Sequence, residues 1–231
     1  MTRIVVAFLL FLPLISYGQG EVGTWTGLQA DVPITKKWKT GIEFQARFDQ
    51  DLTRLNTVFL SPYLNYELTN FVETEYSYRF TMDPGKTEFS QRHTLDLTFG
   101  NLIDFFSEDS RFSLDTRLRG TYEYFPQDQN ETELRLKGVL KYNLKGTKIE
   151  PYLSSELFYR FQDQIIYTAN EVTTRGAINK WRLRAGLSIP LRKRHELRTF
   201  YLFQDRIGSD KIDHIFGLKY AYNFRRLNKA D

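Results

Sequence analysis

TELRLKGVLKYNLKGTKIEPYLSSELFYRF, residues Thr132 to Phe161, decides how this chain folds. Taken two at a time, Leu134, Leu136, Gly138, Leu140 and Tyr142 fall on one face, and Glu133, Arg135, Lys137, Lys141 and Asn143 fall on the other. That is the period of a β-strand. The return run repeats it, with Ile149, Pro151, Leu153, Leu157, Tyr159 and Phe161 set against Glu150, Tyr152, Glu156 and Arg160. Between the runs, Leu144 to Lys148 holds Gly146, the residue a tight turn wants, so the segment reads as a β-hairpin. Each arm is nearer the roughly ten residues of a tilted membrane-crossing strand than the five or six common in soluble sheets.

The alternation recurs in both directions from this hairpin. Uncharged positions two apart mark runs at Leu28 to Val32, Ile42 to Phe48, Val58 to Tyr66, Val72 to Phe80, Leu95 to Phe99 and Phe112 to Tyr124. Others follow at Trp181 to Ile189, Leu197 to Phe203 and Phe216 to Phe224. With the two hairpin arms these make about eleven runs. No helical period, linker or low-complexity tract interrupts them, and one domain is the simplest organisation. Because a wholly antiparallel barrel needs an even number, the expectation is an all-β fold, an antiparallel transmembrane β-barrel of about 10–12 strands.

Composition agrees with that expectation. The chain has 231 residues with 32 Lys+Arg against 28 Asp+Glu, a net +4 far from the basic stripe of a nucleic-acid binder. Aromatics are abundant, with 19 Phe and 14 Tyr, yet the mean hydropathy is negative. Both follow if every second residue faces lipid and its neighbours face a polar interior. The absence of cysteine excludes a disulfide, a thiolate metal site, a Cys nucleophile and a lipidated Cys. At the N-terminus, Arg3, the apolar stretch Ile4 to Ile15 and Ser16-Tyr17-Gly18 have the parts of a secretory signal peptide. Residues 1–18 are therefore expected to be removed, leaving 19–231 as a single outer-membrane β-barrel domain.

A soluble barrel or sandwich would show the same alternation with its apolar face inward. Three features favour the membrane. Short turns expected at Thr35 to Lys37, Glu67 to Asn70, Leu144 to Lys148 and Pro190 to Arg194 alternate with longer loops at Asp49 to Asn56, Thr81 to Ser90 and Gln162 to Asn179. Outward aromatics such as Phe48, Phe80, Tyr124, Phe161 and Phe203 precede the loops, and Trp38, Tyr66, Tyr142 and Phe224 lie near the opposite ends, as interfacial girdles require. Finally, the expected export segment precedes a chain whose last strand, HIFGLKYAYNF, ends on an outward aromatic.

That strand, His214 to Phe224, together with RLRGTYEYF (Arg117 to Phe125), IEPYLSSELFYRF (Ile149 to Phe161) and GTWTGLQ…KKWKTGIEFQARF near the start, resembles a family of outer-membrane β-barrels. The family is widespread in Bacteroidota and known as a domain of unknown function, number twenty-four ninety. The resemblance covers nearly all of the chain after residue 18. It implies the barrel fold and a place in the bacterial cell outer membrane, with assembly through the C-terminal strand by the barrel-assembly machinery, and it lends no activity and no catalytic residues. In this chain Arg225 to Asp231 continue past the terminal aromatic.

Chemical constellations are few. A lipid-cutting barrel sets a serine near an outward histidine, with a third group orienting the base. His93 and His214 face outward by parity, but neither has a serine two residues away, and Ser155 belongs to another strand. Inward carboxylates such as Glu43, Glu75, Asp96, Asp115, Glu123, Glu133 and Glu156 share their space with many arginines, which reads as a salt-bridged lining rather than an acid–base or metal site. No cofactor motif is present, and Arg225, Arg226 and Lys229 read as a solvated basic tail.

The expected lumen-lining residues are Arg92, Arg117, Arg119, Arg135, Lys137, Glu156 and Arg160. A simple register would set Lys141 opposite Glu150 and Arg135 opposite Glu156, leaving Arg117 and Arg119 without partners. The wall of the fifth to seventh runs would be net positive, facing one where Glu43, Glu73 and Glu75 outnumber Arg47 and Arg79. The function expected is non-enzymatic: a narrow pore, or a membrane-embedded scaffold for envelope proteins. The alternatives are a lipid-modifying outer-membrane enzyme and a soluble periplasmic barrel that binds an apolar ligand. Outer-membrane lipid is an expected partner and nucleic acid is not.

Overall fold

The computed structural model describes residues 20–49, 53–85, 88–102, 111–126, 130–167, 172–209 and 212–225. The expected signal peptide, residues 1–18, and Arg226 and Lys229 of the basic tail lie outside them. Eleven strands close into one barrel: β1 (Gly20–Pro33), β2 (Trp38–Asp49), β3 (Arg54–Thr69), β4 (Val72–Asp83), β5 (Glu88–Phe99), β6 (Phe112–Tyr124), β7 (Glu131–Tyr142), β8 (Glu150–Tyr167), β9 (Val172–Arg192), β10 (His195–Arg206) and β11 (Ile212–Asn223). Sequential neighbours pair antiparallel throughout, and the barrel is closed by β1 lying parallel to β11 from Gly20↔Ile212 to Asp31↔Asn223. The wholly antiparallel sheet is thus corrected at one seam. An odd strand number leaves the first and last strands pointing the same way, and a parallel ladder satisfies their backbone groups.

The facing follows the alternation. Leu28, Leu95 and Leu136 are 57%, 60% and 51% exposed on the outside, while Asp96, Glu133 and Glu156 are buried within the lumen. Aromatic pairs ring both rims, with Trp38 and Tyr66 (centroids 4.5 Å apart) and Phe112 and Tyr142 (4.8 Å) at one end. Phe80 and Phe89 (5.8 Å) and Tyr159 and Phe161 (5.2 Å) lie toward the other. We call the end where β1 begins the upper end.

Loop lengths depart from expectation. At the upper end the connections are only 50–53, 84–87, 125–130, 168–171 and 207–211, while the lower end carries the long 100–111 link between β5 and β6. Pairing simply continues through the stretches expected to be loops: Met82↔Phe89 in one case, and Gln164↔Arg175 through Tyr167↔Val172 in another. The β-branched and aromatic residues Ile165, Ile166, Tyr167, Val172, Thr173 and Thr174 favour strand. They lengthen β8 and β9 to 18 and 21 residues. The turn at Gly146 is as expected, with φ of +79°.

The seam is latched from inside. Trp25 on β1 faces Gly217 on β11, whose missing side chain lets the Phe200 ring of β10 lie over the glycine and meet Trp25 edge-on at 6.3 Å. Leu202 and Ile215 complete this buried apolar cluster. A Cβ on Gly217 would fall inside the Phe200 ring. Gly217→Val is expected to cost about 1–3 kcal/mol by overpacking, read as a lower urea midpoint for loss of the barrel in detergent. Gly138, where a Cβ would meet nothing within 4 Å, serves as the control, and Gly138→Val should leave the midpoint nearly unchanged.

Candidate functional site

The site is the lumen, because that is where the sequence concentrates its ionisable groups. Of the seven expected residues, Arg92, Arg135 and Arg160 border an upper cavity, Lys137 a lower one, and Arg117, Arg119 and Glu156 join ion pairs across the inner face; strand register decides who meets whom. Across β7 and β8 the register is Lys137↔Glu156 and Glu133↔Arg160, with Arg135 opposite Phe158 and Lys141 opposite Tyr152. The expected pairs Arg135 with Glu156 and Lys141 with Glu150 are therefore corrected. The turn is wider than the five residues expected, since β8 begins only at Glu150, so each β7 residue meets a position two further along β8.

Arg117 and Arg119 are likewise not without partners. Arg119 grips both oxygens of Asp96, directly opposite on β5, with Nε donating at 2.6 Å. Arg117 lies between Asp96 (3.5 Å) and Glu156 (3.4 Å) and bridges the two. Nearer the upper end, Arg92 holds Glu123, which also accepts from Ser90 Oγ at 2.6 Å. Arg135 donates to Glu133 at 2.5 Å, and Arg160 pairs with Glu131 at 3.1 Å. The β5 to β7 wall expected to be a positive surface is largely quenched from within. Alternating signs on adjacent strands make such pairs almost unavoidable once the strands lie side by side.

The cations left over are elsewhere. Among the described residues, Arg47, Arg79, Lys137, Lys180, Arg182 and Arg184 make no ion pair with a carboxylate. Five of them lie over aromatic rings. Arg79 sits 3.7 Å from the centre of Phe59, and Arg47 4.3 Å from that of Trp25. Arg182 and Lys180 sit 4.5 and 4.8 Å from the ring of Phe158, and Arg184 4.3 Å from that of Phe200. Each contact is worth on the order of 0.5–2 kcal/mol, and a neutral ring leaves the charge uncancelled. On the β2 to β4 wall Arg47 and Arg79 keep their charge, while Glu43 pairs with Lys219 at 3.1 Å and Glu73 accepts from Asn65 Nδ2 at 2.8 Å.

These aromatic partners were missed because parity assigned them to a polar face. The trace they leave in the sequence is a break in the alternation: Val58-Phe59-Leu60, Leu157-Phe158-Tyr159 and Phe200-Tyr201-Leu202 are apolar on both faces. Phe59 and Phe158 are buried, at 2% and 0% exposed, and form a waist. Above it lie cavities of about 360 and 240 Å³, and below it two of about 510 and 270 Å³. No residue lines both an upper and a lower cavity of these four.

On the outside, each of the three histidines is held by a tyrosine of an adjacent strand: His93 by Tyr76 (2.8 Å), His195 by Tyr220 (2.5 Å) and His214 by Tyr201 (2.6 Å). Ser155 Oγ accepts instead from Trp181 Nε1 at 2.9 Å. Among the described residues no three His, Asp or Glu side chains group as a metal site.

Removing one partner of a buried ion pair leaves the other charge stranded. Arg119→Met is therefore expected to destabilise the barrel by about 3–5 kcal/mol, while Asp96→Leu added to it restores much of the loss. Urea titration of the single and double variants checks this.

Residues 22–212 match the family model described as "Protein of unknown function (DUF2490)". No curated protein matches the sequence. Among solved structures, the barrel is similar to that of the NanC porin, with a TM-score of 0.51 and 12% sequence identity. The match covers 82% of this chain and 88% of that one, and the likeness is one of fold.

Proposed function

The chain belongs to the DUF2490 family of proteins of unknown function, and on that premise we propose that it is a narrow, non-enzymatic outer-membrane pore whose lumen favours anions. The observation that carries this reading is the set of lumenal cations stacked on aromatic rings instead of being paired with carboxylates. Positive walls in a confined, partly dewatered passage raise the local concentration of anions. The membrane placement is supported by the exposed apolar exterior, the aromatic rims and the fold likeness to a porin. An export segment at 1–18 fits the same placement. Lipid is then the partner of the outer face, and the barrel-assembly machinery is the partner of β11 before the seam closes. The reading is non-enzymatic because the outward histidines are engaged by tyrosines and none is set against Ser155.

The packed waist at Phe59 and Phe158 favours a second reading, a closed barrel that scaffolds other envelope proteins. Conductance separates the two. Purified protein in a planar bilayer under a salt gradient is expected to show small steps with a reversal potential on the anion side. Arg79→Gln with Arg184→Gln should move that potential toward cations, and the shift should shrink as the screening length falls from about 10 Å at 0.1 M salt to about 3 Å at 1 M. Folded, inserted protein that carries no current would rule out the pore and leave the scaffold.

Facing has its own test. Leu136→Arg should cost about 2–4 kcal/mol near the bilayer midplane, whereas Lys137→Met, one residue on and inside the lumen, should leave folding into vesicles intact. Equal folding yields for the two variants would show that the faces are reversed.

A further inference from the structure

Two of the lumenal cations are held in place by acceptors that do not neutralise them. Arg47 Nε donates to Gln45 Oε1 at 3.0 Å, and Arg182 Nε donates to Gln204 Oε1 at 2.6 Å. A glutamate at either position would orient the guanidinium equally well and cancel its charge. The two guanidinium groups approach the same ring, 4.3 and 5.5 Å from the centre of Trp25. Their terminal nitrogens donate to no acceptor among the described residues. Lys180 stands beside them, and all three cations line the upper cavity of about 240 Å³ together with Trp25.

Two carboxylates border the same cavity. Asp213 is already engaged, by Arg206 at 3.2 Å and by Gln204 Nε2. Asp49 is different: its Oδ1 is buried and meets no hydrogen-bond donor among the described residues. The cavity therefore offers converging cationic donors and, two residues from Arg47 on β2, a carboxylate still short of donors. Like charges brought together without a counter-ion repel one another, and a bound anion is what relieves them. The lone acceptor calls for a ligand that also carries a donor.

We propose that this upper cavity is a binding site for a small hydroxylated carboxylate. Its carboxylate is received by Arg47, Arg182 and Lys180, the Trp25 ring supplies a flat wall, and a hydroxyl donates to the Asp49 carboxylate. Planar guanidinium forks suit a carboxylate in two-point contact. The volume suits a small molecule rather than a polymer. The site rests on the reading of the lumen as open to anions from the upper end, and it gives that passage a point of selection.

Gluconate, glucose and inorganic phosphate serve as probes, titrated calorimetrically at fixed ionic strength into the whole barrel in detergent. Saturable gluconate binding is expected, with glucose and phosphate each weaker by about tenfold or more, since a lost charge-assisted contact is worth roughly one decade. Arg47→Gln with Arg182→Gln should weaken gluconate by about tenfold or more. Gln45→Glu with Gln204→Glu should do the same while keeping both arginines, with heat-modified gel migration checking that the barrel is folded. Asp49→Asn should narrow the preference for gluconate over phosphate. No saturable gluconate binding, glucose binding as well as gluconate, phosphate matching gluconate, or unchanged affinity in the folded Gln→Glu variant would each overturn the proposal. Bilayer current is measured separately. Current without gluconate binding removes the site and spares the pore, and binding without current removes the pore and spares the site.

Discussion

Closing a sheet on itself requires every edge N–H and C=O to find a partner, and with eleven strands that condition is met only through one parallel pair. Much else depends on this seam. A parallel ladder is slightly weaker per residue than an antiparallel one, and the barrel places its buried apolar cluster, Trp25, Leu202 and Ile215 with Phe200 against it, on the inside of that junction. Elsewhere the lumen is mostly charged, with Phe59, Tyr63 and Phe158 as further buried rings. The apolar latch lies where the backbone pairing is weakest, and Gly217 is the residue that lets Trp25 and Phe200 close over it.

The seam also sets the polarity of the molecule. With β1 and β11 running the same way, the first strand starts at the end opposite the one where the last strand finishes. The longest pair, β8 and β9, rises past its neighbours at the upper end, beyond Glu133↔Arg160 on one side and Arg206↔Lys180 on the other. The lumen is thus approached from above beside a raised hairpin, and from below through a rim that carries Lys36, Lys37 and Lys39.

Much of this was legible from residue order alone, for a definite reason. Alternation of Leu134 and Leu136 with Arg135 and Lys137 reports facing directly, since strand side chains have a period of two. Register is a different kind of fact. It depends on how many residues a turn consumes, and a two-residue error in the turn after β7 moved Glu156 from Arg135 to Lys137. The extent of β8 and β9 was hidden because Gln162, Asp163 and Gln164 look like loop residues, though polar residues are equally at home in a strand that rises past its neighbours. Seam direction leaves no local trace at all. It follows from the parity of the whole count, which sequence patterns deliver only to within a strand.

The interior aromatics, finally, explain how the lumen keeps positive charge without unfolding the barrel. A buried cation needs compensation for the water it loses. Arg92 and Arg119 find it in carboxylates and so contribute little net field. Arg79 and Arg184 find part of it in Phe59 and Phe200, whose ring faces attract a cation through their quadrupole while contributing no negative charge. The price is incomplete satisfaction: Arg79 Nε is buried without a hydrogen-bond partner among the described residues. An aromatic on the polar face of a barrel strand is therefore more than filler. It stands where a carboxylate would otherwise compensate the arginine, and it leaves that charge in the lumen.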